Sequence, residues 1–169
     1  EIIRLLFNYG GKLIVGDEEG VELSLAAFLL HELEEITFEN KLFAKVIQVY
    51  QSQLAIGEVP TDSFFIQHPE QDISNLTISL LSHTYQLSEN WKKKHDINVK
   101  QEAEILKEAG INAVNHLKVR KLNNMIRENQ DKLSTAKDPQ EVERLQKMHM
   151  SLAAIKKELS KALGAVILR

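Results

Sequence analysis

From Val99 to Ala136 nothing interrupts the chain except Gly110, and that stretch more than any other limits what the sequence can become. It contains no proline, and one glycine inside a helix costs roughly 1 kcal/mol relative to alanine without ending it. A continuous helix there would be on the order of 50 Å long. Its apolar positions run Ala103, Leu106, Gly110, Ala113 and Leu117 at steps of three and four. They then continue as Val119, Leu122, Met125, Ile126 and Leu133, on a face turned by about 140°. One helix with two faces is expected to pack against two different bodies.

Lys137-Asp138-Pro139 then reverses the chain, with Asp138 as N-cap and Pro139 in the first helical position. The last helix, expected over 139–163, carries a heptad of Leu145, Met148, Leu152, Ile155, Leu159 and Ala162, and Gly164 marks its end. A short loop between two long helices makes them antiparallel neighbours. The tail therefore reads as a helical hairpin, with the heptad serving pairing inside it.

The first half is built from shorter pieces. Only 7 Gly and 3 Pro occur in 169 residues, which favours helices over a turn-rich sheet fold. Helices are expected over 1–9, 21–36, 40–57 and 70–83, with an extended or irregular link at 12–20 and a short turn capped by Thr61. The reading is all-α. A multi-helix bundle subdomain occupies 1–95, followed over 96–169 by a long connecting helix and a C-terminal helical hairpin. Trp91, the single tryptophan, lies after Ser88-Glu89-Asn90 at the junction of the two. A large ring there is expected to anchor the connecting segment onto the bundle, its N–H finding a polar partner at the rim.

Composition excludes several classes of chemistry. Cysteine is absent, so disulfides, thiolate zinc sites and cysteine nucleophiles are excluded, as suits a reducing cytoplasm. No apolar run reaches the roughly 18 residues of a membrane span, and no signal peptide opens the chain. It begins at Glu1 directly in an apolar helical stretch, which reads as a piece of a longer protein. Six histidines are scattered singly. His31 and Glu35 share a helix face but make no metal-binding pair, and Asp17-Glu18-Glu19-Gly20 lacks the ligand pattern of a calcium loop. With no phosphate loop and no nucleophile motif, neither catalytic residues nor a cofactor are expected.

Charge is segregated. Residues 1–95 hold 7 Lys/Arg against 14 Asp/Glu, and residues 96–169 hold 14 against 10. The basic clusters Lys92-Lys93-Lys94 and Lys118-Val119-Arg120-Lys121 lack interleaved aromatics, so they read as solvated surface. An accessory nucleic-acid-binding role and self-association of the last helix stand as alternatives. The main reading is a docking surface for another protein's helices. A hairpin cannot bury all its apolar surface on itself, and Met125, Ile126, Leu133, Val142, Leu145 and Met148 lie toward its tip.

Several strings carry a family resemblance. They are E-I-I-R-L-L-x-N-Y-G at Glu1, H-E-L-E-E at His31 with F-E-N after it, F-x-x-H-P-E from Phe65 to Glu70, Y-Q-L-S-E-N-W from Tyr85 to Trp91, and L-K-V-R-K-L from Leu117 to Leu122. In this order and spacing the chain resembles the C-terminal helicase-binding domain of bacterial DnaG-type DNA primases, particularly those of the Bacteroidetes. The resemblance implies a helical bundle, a long connecting helix and a terminal hairpin. It also implies docking onto the N-terminal domain of the hexameric DnaB-type replicative helicase, within the primosome at the nucleoid's replication fork. Primer synthesis, with its zinc and magnesium, would belong to upstream domains.

Overall fold

The computed structural model describes residues 1–15, 21–82 and 105–164. Among them the chain is all-α, with one small antiparallel ribbon. In order come α1 (Ile2–Tyr9), β1 (Leu13–Val15), β2 (Glu22–Ser24), α2 (Leu25–Glu32) and α3 (Lys41–Ala55). These are followed by α4 (Asp62–Ile66), α5 (Gln71–Leu81), α6 (Leu106–Thr135) and α7 (Pro139–Ala162). They group into two compact units, Glu1–Ile111 and Asn112–Arg169. No helix among the described residues is long and apolar enough to cross a membrane. Trp91, the acidic turn at Asp17, the lysine run at Lys92 and the start of the long helix at Val99 lie outside the described residues.

Helix ends fall where side chains or glycines take up the orphaned backbone groups. Asn40 Oδ1 accepts from the Leu42 and Phe43 amides, Thr61 Oγ1 from Phe64, and Asp138 Oδ1 from Gln140 ahead of Pro139. At the other end of α3, Gly57 takes φ +83°, and the amides of Gly57 and Glu58 donate to the carbonyls of Leu54 and Gln53. That paired pattern needs a left-handed residue, which glycine supplies without strain.

One boundary departs from the sequence reading. A helix over 21–36 is expected, yet α2 covers only Leu25–Glu32. Leu13, Ile14 and Val15 pair with Ser24, Leu23 and Glu22, so the first residues of that stretch are strand. Ser24 then caps α2 by accepting from the Ala27 amide, fixing the switch from strand to helix at one residue.

In the first unit, α1 packs against α2 and α5, α3 against α2 and α5, and α4 against α5. Leu5, Leu6, Leu25, Leu29, Val46, Tyr50, Phe65 and Ile73 are all but completely buried. Phe7, Tyr50 and Phe65 form the aromatic centre, the Tyr50 and Phe65 rings lying 4.8 Å apart and the Phe7 and Phe65 rings 4.9 Å apart. The Tyr50 hydroxyl donates to the Leu6 carbonyl at 2.8 Å, so the one polar atom of this aromatic centre is satisfied. Burial, with the nearby Asp62 charge second, pushes the Tyr50 phenol up from its ordinary value. Gly110 is a close approach rather than a flaw in α6: a Cβ there would lie 3.1 Å from Leu29 Cδ2 and 3.5 Å from Leu25 Cδ1.

Substitutions at Gly110 and Tyr50 test this packing. Gly110→Ala is expected to stay within about 1 kcal/mol of wild type, helix propensity offsetting the tight Leu29 contact. Gly110→Leu should cost about 1–3 kcal/mol in urea unfolding. Tyr50→Phe should cost about 1 kcal/mol at neutral pH. Because the folded state holds the Tyr50 proton, wild-type stability is full below the ordinary tyrosine range near about 10 and falls as pH rises above it. Tyr50→Phe should lack that alkaline loss in the same titration.

Candidate functional site

The bundle carries a cleft with a partly polar lining. It measures about 360 Å³ and lies between the end of α1 and the start of α4, and its polar lining includes Asn8, Lys12, Thr61 and Asp62. Three of those side chains serve the local backbone: Thr61 caps α4, Asp62 Oδ1 accepts from the Ser63 amide, and Asn8 donates to the Arg4 carbonyl. No group of three or more metal-ligating side chains occurs among the described residues. His31 is highly exposed and sits 3.9 Å from Glu34, while Glu35 lies beyond the end of α2. The described bundle offers no convergent set of acid, base and nucleophile.

The second unit is more informative. On α6 the inward column is Leu122, Ile126, Asn129 and Leu133, stepping four, three and four, and Ala136 continues it just past the helix end. Asn129 is a polar residue in that column and is only 3 % exposed. Its Nδ2 donates across the hairpin to the Leu145 carbonyl at 3.0 Å. That bond sets Asn129 level with Leu145, and therefore Met125 beside Met148. Among the described residues, Asn129 Oδ1 and His149 Nδ1 are buried without a hydrogen-bond partner.

On α7 the expected heptad divides. Leu145 and Leu152 are buried and Leu159 half-buried, whereas Met148 and Ile155 are 48 % and 52 % exposed. The half-buried positions that complete the inward face are His149, Lys156 and Leu163. At about 100° per residue, Met148 and Ile155 lie some 40–60° to one side of Leu152, and Met125 lies about 60° to one side of Leu122. These rotations have the same sense. In an antiparallel pair, equal senses of rotation from the seam lead to the same side. Met125, itself 50 % exposed, therefore joins Met148 and Ile155 on one side of the hairpin.

Of the six tip residues expected to meet a partner, Met125 and Met148 lie on this exposed side. Ile126, Leu133 and Val142 are half-buried and Leu145 is in the seam. The structure adds Ile155, which the heptad pattern assigns to the seam. It also adds Asn129, whose signal is its place between Ile126 and Leu133 in the four-three stepping.

Charge follows the unit boundary. Residues 1–111 hold 9 Lys/Arg against 18 Asp/Glu, and residues 112–169 hold 12 against 6. On α7, Glu143 pairs with Lys147 at 2.7 Å and Glu158 with Lys161 at 2.9 Å.

A buried asparagine in a helix seam lowers stability but fixes register. Asn129→Leu is accordingly expected to raise the urea midpoint of the hairpin while adding dimers in light scattering. A lower midpoint with a strictly monomeric chain would show that Asn129 has another role.

Neither a curated protein nor a solved structure matches the chain. A family model described as a domain of unknown function, DUF8430, matches residues 1–167, and the chain belongs to that family.

Proposed function

We propose that this chain is a protein-docking module whose C-terminal hairpin binds helices of a partner, and that the partner is the N-terminal domain of a DnaB-type hexameric helicase. One observation carries the docking reading: Met125, Met148 and Ile155 are each about half exposed on the same side of α6 and α7. Full burial of such a side chain is worth roughly 1.5–3 kcal/mol. A hairpin that existed only to pair with itself would turn this column into its seam. Instead the polar His149 and Lys156, on the other side of Leu152, are the half-buried pair. Methionine's flexible thioether suits a surface that must form and release contacts.

The helicase is named from the sequence resemblance, which runs from the opening E-I-I-R-L-L to the L-K-V-R-K-L at the start of the hairpin. On this reading the module recruits a primase to the fork, and primer synthesis falls to other modules of the same protein.

A nucleic-acid role is less well supported. Lys118 and Arg120 are two residues apart on α6, so they point about 200° from one another, and Lys118, Arg120 and Lys121 share no single face.

The chain should co-elute with the isolated N-terminal domain of the helicase in size-exclusion chromatography. The double variant Met148→Asp/Ile155→Asp should weaken that complex at least about tenfold, with far-UV circular dichroism unchanged. Co-elution that survives the double variant would remove the hairpin side from the contact. No co-elution by the wild type would remove the helicase as partner.

A further inference from the structure

The exposed apolar side of the hairpin is rimmed by charges of both signs with a basic excess, and that constrains what can lie on it. By the same helical geometry, Lys121 and Lys132 on α6 and Arg144 on α7 project from the side that carries Met125, Met148 and Ile155. Lys132 and Arg144 lie toward the tip, close to the methionine pair, and Lys121 lies between that pair and Ile155. Lys118 falls on this side as well. Three carboxylates, Glu128, Glu141 and Glu158, lie on the same side as these four cations, so the side retains a small positive excess. The rest of the unit does not cancel it, since residues 112–169 carry 12 basic against 6 acidic side chains.

From Lys118 to Lys132 the strip spans about 21 Å, or about four turns of helix. Resting on the docking reading above, we infer that the occupant of this side is an acidic amphipathic helix of about that length. Its apolar stripe would cover Met125, Met148 and Ile155, and its Asp or Glu flanks would meet Lys132 and Arg144. An extended polyanion fits poorly. A phosphate backbone has nothing to gain from three half-exposed aliphatic and thioether side chains, and it would meet Glu128 and Glu141 as well as the cations. A helix with a mixed surface satisfies both the apolar centre and the rim.

The test uses the full chain and a fluorescein-labelled 18-residue helical peptide with leucines on one face and glutamates on its flanks. A second peptide carries lysine at every glutamate position. Fluorescence anisotropy should show the acidic peptide binding and the basic one failing to bind. Lys132→Glu/Arg144→Glu should weaken the acidic peptide at least about tenfold and admit the basic one, and raising the salt should weaken the wild-type complex. Met148→Asp/Ile155→Asp should abolish binding of the acidic peptide.

Equal binding of the two peptides, or no effect of the charge reversal, would overturn the inference. So would a labelled single-stranded oligonucleotide that binds more tightly than the acidic peptide and competes with it. Running Lys132→Glu/Arg144→Glu against the helicase domain separates the two claims. Loss of the complex supports this inference. Retention of the complex, with Met148→Asp/Ile155→Asp still disruptive, leaves the docking reading standing and sinks the acidic helix.

Discussion

The hydrogen bond from the Asn129 amide to the Leu145 carbonyl sets what the hairpin can present. Two apolar helices in an antiparallel pair can slide by a turn with little change in buried area, because one leucine replaces another. A buried amide bonded to the Leu145 carbonyl resists that sliding, since a slip must break this bond inside an apolar seam before the amide can reach another carbonyl. Register decides more than stability here. It places Met125 beside Met148 and lets Ile155 extend the same strip. A one-turn slip would separate the two methionines and set different residues opposite Lys132 and Arg144.

Exposed apolar side chains are ordinary one at a time, and the bundle has its share. Leu13 and Val15 stand on the outer face of the ribbon, and Ile56 projects beyond the end of α3. What separates the hairpin side from these is the alternative it forgoes. The heptad from Leu145 to Ala162 offers Met148 and Ile155 as natural seam residues, and the fold sets the helix so that His149 and Lys156 take the neighbouring inward positions. Lys156 can bury its methylene stem and keep its ammonium in water, which limits the cost of that choice. The apolar column is the exposed one while a polar one is half-buried, a pattern that self-packing alone does not explain.

Much of the fold was legible because its signals are local. Asn40, Thr61 and Asp138 cap where short polar side chains precede helical periodicity, and Gly57 and Gly164 take the positive φ expected of helix stops. Gly110 marked one face of the long helix, and the packing of Leu25 and Leu29 around it accounts for that. Two things were not legible. Leu23 lies off the three-four stripe that begins at Leu25 yet reads as part of the same helix, and only its pairing with Ile14, a non-local event, makes it strand. The sequence also assigns Met148 and Ile155 to the seam, because hydrophobicity ranks them above His149 and Lys156. The rotation of α7 about its own axis is a property of the pair of helices, so neither helix encodes it alone. Asn129 is hidden in a different way: it completes the column as a polar residue, so apolar periodicity alone does not mark it.

The division of charge bears on how such a surface would work. In the hairpin, Glu143 and Glu158 are each engaged by a lysine one turn away, so two of the six acidic groups of the second unit are held within α7 itself. Exposed pairs of this kind add little stability, and each cancels one charge of either sign, so the basic excess of the unit is unchanged by them. A basic rim raises the rate of encounter with an acidic surface and discourages basic ones, while the desolvated thioethers and Ile155 determine how long a complex lasts. On the proposed reading the two roles would fall on different residues of one side. Salt would therefore act mainly on association through the lysine and arginine rim, and loss of the apolar strip mainly on dissociation.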